Sequence, residues 1–81
     1  MNAERMAEMV NDIANFFAAE PDRSAAVNGV CDHLRKFWEP RMRRQIIAYV
    51  RDHGAAGMSE LARAGVEKLA TIDPAAAAKT A

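Results

Sequence analysis

Two interior prolines divide this sequence into segments that must fold as separate helices. Pro21 follows Glu20 and Pro40 follows Glu39, and proline disfavours helical geometry at the residue before it. Pro40 also suits the first turn of a new helix, because an N–H at that position would have no partner within the helix. The rest of the sequence is rich in alanine and poor in β-branched residues, which favours helix. These features predict an all-α protein whose second and third helices meet at a sharp corner.

Apolar residues at helical spacing mark the extent of each predicted helix. We expect a small bundle of three main helices and a weaker C-terminal fourth helix, at about 2–18, 22–38, 40–52 and 59–71. Gly54 fits a left-handed cap after the third helix, and Ser59 can cap the fourth. Residues 1–72 would then form a single helical domain. Residues 73–81 would form a disordered tail, because they have almost nothing to bury.

The first two predicted helices each carry an apolar stripe of the width expected for a core-facing surface. In the first helix the stripe consists of Met6, Met9, Val10, Ile13, Phe16 and Phe17. In the second helix it consists of Val27, Val30, Cys31, Leu34, Phe37 and Trp38. Gly29 lies on the opposite side of the second helix. A glycine inside a helix indicates either a close approach by another backbone or a tolerated defect.

The small size of the chain makes a partner plausible on energetic grounds. A protein of 81 residues buries only about 60% of its unfolded-state surface, so its own core is marginal. The single cysteine, Cys31, excludes an internal disulfide framework. No apolar run approaches the roughly 20 residues that span a bilayer, and no secretory signal segment opens the sequence. We therefore expect a cytoplasmic protein without membrane contact.

The net charge is zero, but the basic residues are concentrated in the middle of the sequence. Residues 1–34 contain six acidic and two basic side chains, whereas residues 35–51 contain six basic and one acidic. The outer side of the predicted third helix carries Arg41, Arg44 and Arg51, with Arg43 at its border. Ile47 falls among these arginines and is expected to point away from the core. Such a group is either a small interaction site or a solvated basic face with one stray isoleucine.

The potential reactive groups lack the neighbours that catalysis or metal binding requires. Cys31 and His33 point about 200° apart on a helix, and with His53 they cannot complete a closed four-ligand zinc site. No hydroxyl residue lies near a base, and no glycine-rich phosphate loop is present. Nucleic-acid binding is disfavoured by the pI near 6.7 and by the few polar residues in the third helix. We expect no catalytic, cofactor-binding or metal site in this chain.

Two strings of the sequence resemble the delta subunit of NAD-dependent formate dehydrogenases that contain molybdenum or tungsten. They are FFAAEPDR at 16–23 and DHLRKFWEPRMRRQI at 32–46. The most specific part runs from Phe37 to Arg43, where an aromatic pair and an acid precede Pro-Arg-Met-Arg. A looser match continues through GMSELARAGVEKL, so the resemblance covers about residues 4–70.

This resemblance implies a non-catalytic accessory subunit that brings no cofactor ligands. In such complexes the alpha subunit holds bis-molybdopterin guanine dinucleotide and iron–sulfur clusters and oxidises formate. Beta and gamma subunits carry the electrons through further clusters and FMN to NAD⁺. The delta subunit is expected to stabilise the alpha subunit or aid its assembly, either as a permanent component or as an assembly factor. The alternative is a free-standing helical interaction module or homodimer unrelated to formate oxidation. Self-association of the isolated chain is compatible with both.

The expected partner-binding surface is the corner between the second and third helices together with the arginines that follow it. It consists of Phe37, Trp38, Pro40, Arg41, Arg43, Arg44, Ile47 and Arg51. Aromatic side chains flanked by arginines are typical of interface hot spots. The other interpretation is that Phe37 and Trp38 only close the core of the bundle.

Overall fold

The computed structural model describes residues 2–73, and this part of the chain forms a bundle of four α-helices. They are α1 (Ala3–Phe17), α2 (Arg23–Phe37), α3 (Pro40–His53) and α4 (Glu60–Ile72). No strand occurs between residues 2 and 73, so the predicted all-α class is confirmed. Asp73, the first residue of the predicted tail, is buried and caps the C-terminus of α4. The rest of that predicted tail, 74–81, lies outside the described residues.

The helix ends follow from local chemistry. Asn2, Asp22 and Ser59 are N-caps whose side-chain oxygens accept a hydrogen bond from the backbone N–H of the second or third residue of the following helix. Pro40 opens α3, and Gly54 ends it with φ of 63° in the left-handed region. Because Trp38 and Glu39 are both extended, the chain turns between α2 and α3 without a longer loop.

The core is formed by all four helices, and α4 contributes as much to it as the helices predicted to be stronger. Its central residues are Val10, Val30, Leu34, Ile46, Val66 and Leu69. The most extensive helix–helix contact is between α2 and α4, where Gly65 lies directly against Val30. A β-carbon on Gly65 would lie 2.3 Å from Val30 Cγ1. The small residues of α4, which contribute little to an apolar stripe, therefore allow its close packing.

The end of α1 differs from the predicted core-facing stripe. Phe16 is 76% exposed, so its assignment to the core was wrong. Phe16 and Phe17 are adjacent and point about 100° apart on a helix, so only one of them can enter the contact with α2. The ring of Phe17 does so and covers Gly29, where an added β-carbon would lie 2.4 Å from Phe17 Cδ1. Gly29 thus accommodates an aromatic side chain rather than another backbone.

The loop between α3 and α4 is held to α1 and α3 by side chains. Asn11 donates a 2.9 Å hydrogen bond to the carbonyl oxygen of Gly57, and its own side-chain oxygen accepts a 2.8 Å bond from the N–H of Ser59. The Tyr49 hydroxyl donates a 2.7 Å bond to the carbonyl oxygen of Ala56. These contacts fix the start of α4, and hence the position from which α4 packs on α2.

Candidate partner-binding surface

The two aromatic residues at the α2–α3 corner have opposite environments. Trp38 is 6% exposed and belongs to the core, whereas Phe37 is 71% exposed. The helical conformation ends at Phe37, and the extended backbone of Trp38 directs the indole inward. Trp38 therefore closes the core of the bundle, as the second interpretation of the sequence held. Phe37 is left at the surface.

Arg43, which we expected to project from the corner as part of the partner-binding surface, does not do so. Its guanidinium is ion-paired with Asp73, and it also donates hydrogen bonds to the carbonyl oxygens of Trp38 (2.5 Å) and Arg35 (3.2 Å). The side chain is only 15% exposed. The prediction that it projects was wrong because the end of α4, distant in sequence, supplies the carboxylate. Arg43 therefore joins the end of α2, the start of α3 and the end of α4.

Ile47 is also placed differently from the expectation. It is 8% exposed and belongs to the core, although the helical wheel turned it away from the core. The expectation assumed one covered side on α3, whereas α3 contacts both α1 and α4. Ile47 and Val50 line a shallow groove of about 300 Å³ between α3 and α4, together with Val66 and Ala70.

The remaining predicted residues lie at the surface. Pro40 and Arg41 are exposed and Arg44 is half-buried. The side chains of Arg41 and Arg44 make no hydrogen bond or ion pair with any residue in the range 2–73. Arg51 is exposed, but its guanidinium binds Asp52 at 2.9 and 3.2 Å, which raises the pKa of Arg51. We use the term corner surface for Phe37, Pro40, Arg41 and Arg44.

A second exposed apolar surface lies between α1 and α2, and the sequence patterns did not indicate it. A groove of about 470 Å³ is lined by Asp12, Ile13, Phe16, Phe17 and His33. The His33 ring packs against that of Phe37 at a tilt of 44°, with ring centroids 4.8 Å apart, so the groove adjoins the corner surface. Within the described part of the chain only three large apolar residues are exposed, and Phe16 and Phe37 are two of them. The Phe-Phe doublet was the available signal, since two adjacent large rings point about 100° apart and the bundle covers only one of them.

The groups considered for catalysis are buried or scattered. Cys31 has no exposed surface, and burial is the main reason that the pKa of its thiol is raised. Among residues 2–73, no three side chains of the His, Cys, Asp and Glu types lie close enough together to hold a metal ion. No helix in the described range has both the length and the apolar character needed to cross a membrane.

Comparison with protein families connects these features to a known group. Residues 5–66 match the family described as the NADH-dependent formate dehydrogenase delta subunit, FdsD. The chain belongs to this family. The match includes most of α1, all of α2 and α3 and the first half of α4, and with them the corner surface and the α1–α2 groove. The family resemblance stated from residues 16–23 and 32–46 is confirmed. Comparison with curated proteins and with solved structures gave no match.

Proposed function

We propose that this chain is a non-catalytic accessory subunit that binds the catalytic alpha subunit of an NAD-dependent formate dehydrogenase through the corner surface. The observation that carries the proposal is the exposure of Phe37 and Arg41 within the most specific string of the delta-subunit resemblance, with the half-buried Arg44 directly after it. An exposed phenylalanine beside two arginines without internal partners has the composition of an interface hot spot.

The buried members of the same string support this proposal in a different way. Trp38 is fixed in the core, and Arg43 bonds to two carbonyl oxygens and to Asp73. The corner is therefore held in one conformation before any partner binds, which lowers the entropic cost of association. Arg41 and Arg44 are three residues apart on α3, so their guanidinium groups are neighbours. They would form charge-assisted hydrogen bonds with carboxylates of the alpha subunit.

The cofactors of the complex would belong to the other subunits. Iron–sulfur clusters are held by sets of cysteine thiolates, whereas this chain has one cysteine, which is fully buried. The described residues likewise provide no clustered donors for molybdenum or tungsten. In this proposal the chain acts in the cytoplasm by binding alone, and it promotes the stability or the assembly of the subunit that oxidises formate.

Deletion of the gene in its host tests this role. We expect less formate-dependent reduction of NAD⁺ in extracts, together with either less alpha subunit or a lower molybdenum or tungsten content per alpha subunit. A loss of protein would indicate a stabilising role, and a loss of metal would indicate a role in cofactor insertion. Activity should return when the gene is supplied on a plasmid. Unchanged activity, alpha-subunit level and metal content would contradict the proposal.

A further inference from the structure

The α1–α2 groove is an exposed apolar feature that the described part of the bundle leaves uncovered. Its walls are the rings of Phe16, Phe17 and His33 and the side chain of Ile13. The ring of Phe16 packs edge-on against that of Phe17 at 5.0 Å and otherwise faces solvent. Exposed apolar clusters of this kind are typical of protein-interaction sites.

The size of the corner surface indicates that a stable interface would extend beyond it. A standard interface buries about 800 Å² on each partner and involves about 20 to 30 residues, whereas the corner surface has four. The contact between the rings of Phe37 and His33 connects the corner surface directly to the groove. A partner that covers Phe37 would therefore also contact the groove beside it.

The charge of the groove indicates what its occupant carries. Asp12 is the one carboxylate among the lining residues, and its side chain makes no hydrogen bond or ion pair with any described residue. A basic side chain on the occupant would compensate this charge at the edge of an otherwise apolar site. The groove runs between two helices of 15 residues each, and a cleft of this form suits an amphipathic helix.

We infer that the α1–α2 groove is a second docking site, occupied by an amphipathic helix of the same alpha subunit. That helix would place apolar side chains against Phe16 and Phe37 and a lysine or arginine against Asp12. The inference rests on the proposed function, since it assumes that the alpha subunit covers the corner surface. It adds a second contact of different chemistry, because the corner surface would bind carboxylates and the groove would bind an apolar and basic segment.

The test uses the complete complex, purified through a tag on the alpha subunit, and measures how much of this chain is retained. Phe16→Ser should lower the affinity by about tenfold or more, as truncation of a buried hot-spot aromatic does. Ile72→Ser is the matched control, because Ile72 is the third exposed large apolar residue and lies on α4, outside the groove. We expect this control to retain the chain at the wild-type level. Both residues are exposed, so both variants should keep the wild-type circular dichroism spectrum.

Charge substitution at Asp12 tests the basic contact separately. Asp12→Asn should weaken retention and Asp12→Lys should weaken it further, with a smaller effect at high salt. Full retention of both Phe16→Ser and Asp12→Lys would overturn the inference. If Arg41→Glu with Arg44→Glu still released the chain, the proposed function would stand and only the groove would be refuted. A change of the isolated chain from dimer to monomer in Phe16→Ser, with retention unaffected, would show that a second copy occupies the groove and would also overturn the inference.

Discussion

The guanidinium of Arg43 is ion-paired with the carboxylate of Asp73, and this pair joins the first turn of α3 to the C-cap of α4. Both side chains are largely buried, and Arg43 also holds the carbonyl oxygen of Trp38. The pair therefore fixes the corner on which the proposed function depends. It joins residues that are 30 positions apart in the sequence.

Removal of either partner of this pair should strongly destabilise the fold. Arg43→Met and Asp73→Asn should each lower the free energy of unfolding by about 3 kcal/mol, because each removes one charge from a largely buried ion pair. The double variant Arg43→Met with Asp73→Leu should lower the free energy of unfolding by less than the two single-variant losses added together, since no charge of the pair remains buried. Urea unfolding followed by the fluorescence of Trp38, the only tryptophan, measures all three. A cost below about 0.5 kcal/mol for both single variants would contradict an internal role for Arg43.

The close contact of α2 and α4 predicts that Gly65 does not tolerate a side chain. In Gly65→Ala the new methyl group would lie 2.7 Å from Val30 Cβ as well as close to Cγ1, and Val30 is fully buried. The cost of overpacking should exceed the helix-propensity gain of about 1 kcal/mol and leave a net loss of about 1 to 2 kcal/mol. Gly29→Ala is the control, because the partly exposed ring of Phe17 can rotate away. A Gly65→Ala protein as stable as the wild type would show that the helices can separate without cost.

Asn11 should be important for the loop before α4. Asn11→Ala removes the two hydrogen bonds to Gly57 and Ser59 and should cost about 1 to 2 kcal/mol of unfolding free energy. Hydrogen exchange gives a local measurement, since the amide of Ser59 would lose its acceptor and should exchange faster. The amide of Gly54 bonds to Val50 and serves as an internal control. Equal protection of Ser59 in the two proteins would argue against the contact.

The ion pair between Arg23 and Glu60 should make stability depend on acid pH. Two hydrogen bonds of 2.7 Å from Arg23, together with its charge, hold the pKa of Glu60 below its ordinary value of 4.5. Because the folded-state pKa is lowered, the stabilisation is present above the unfolded-state value and is lost as the pH falls through the folded-state value. The stability difference between wild type and Arg23→Gln should therefore shrink below about pH 4.5. A difference that stays constant from pH 7 to pH 3 would contradict this assignment.

Local sequence rules were sufficient to predict where the helices begin and end. They were not sufficient to predict which side of each helix is buried. The ring of Pro40 and the absence of a side chain at Gly54 suit them to the two ends of a helix. Both residues lie at the ends of α3, as the sequence predicted. The environments of Arg43 and Ile47 depend on α4, whose position is set by the contact of Gly65 with Val30. A helical wheel of α3 holds no information on that contact, so it placed Arg43 at the border of the outer side and turned Ile47 away from the core.

The candidate surface was predictable to a similar extent. Pro40 and Arg41 are exposed and Arg44 is half-buried, whereas Trp38 is in the core. Phe37 is exposed, so its place on the core-facing stripe of the second helix was wrong. The groove beside Phe16 was missed because the apolar stripe of α1 was treated as entirely core-facing. In a chain of 81 residues the core has no room for every large apolar side chain, and the excess remains at the surface.

The central claim is that the corner surface binds the alpha subunit, and native mass spectrometry of the complex purified through a tagged alpha subunit tests it most directly. The wild-type complex should contain the additional 8.9 kDa of this chain. Arg41→Glu with Arg44→Glu should remove that mass, because the reversed charges would repel the carboxylates that the corner surface binds. The matched control, Arg5→Glu with Arg63→Glu, makes the same change in net charge away from the corner and should leave the mass in place. Full retention of the chain after reversal at Arg41 and Arg44 would contradict the claim.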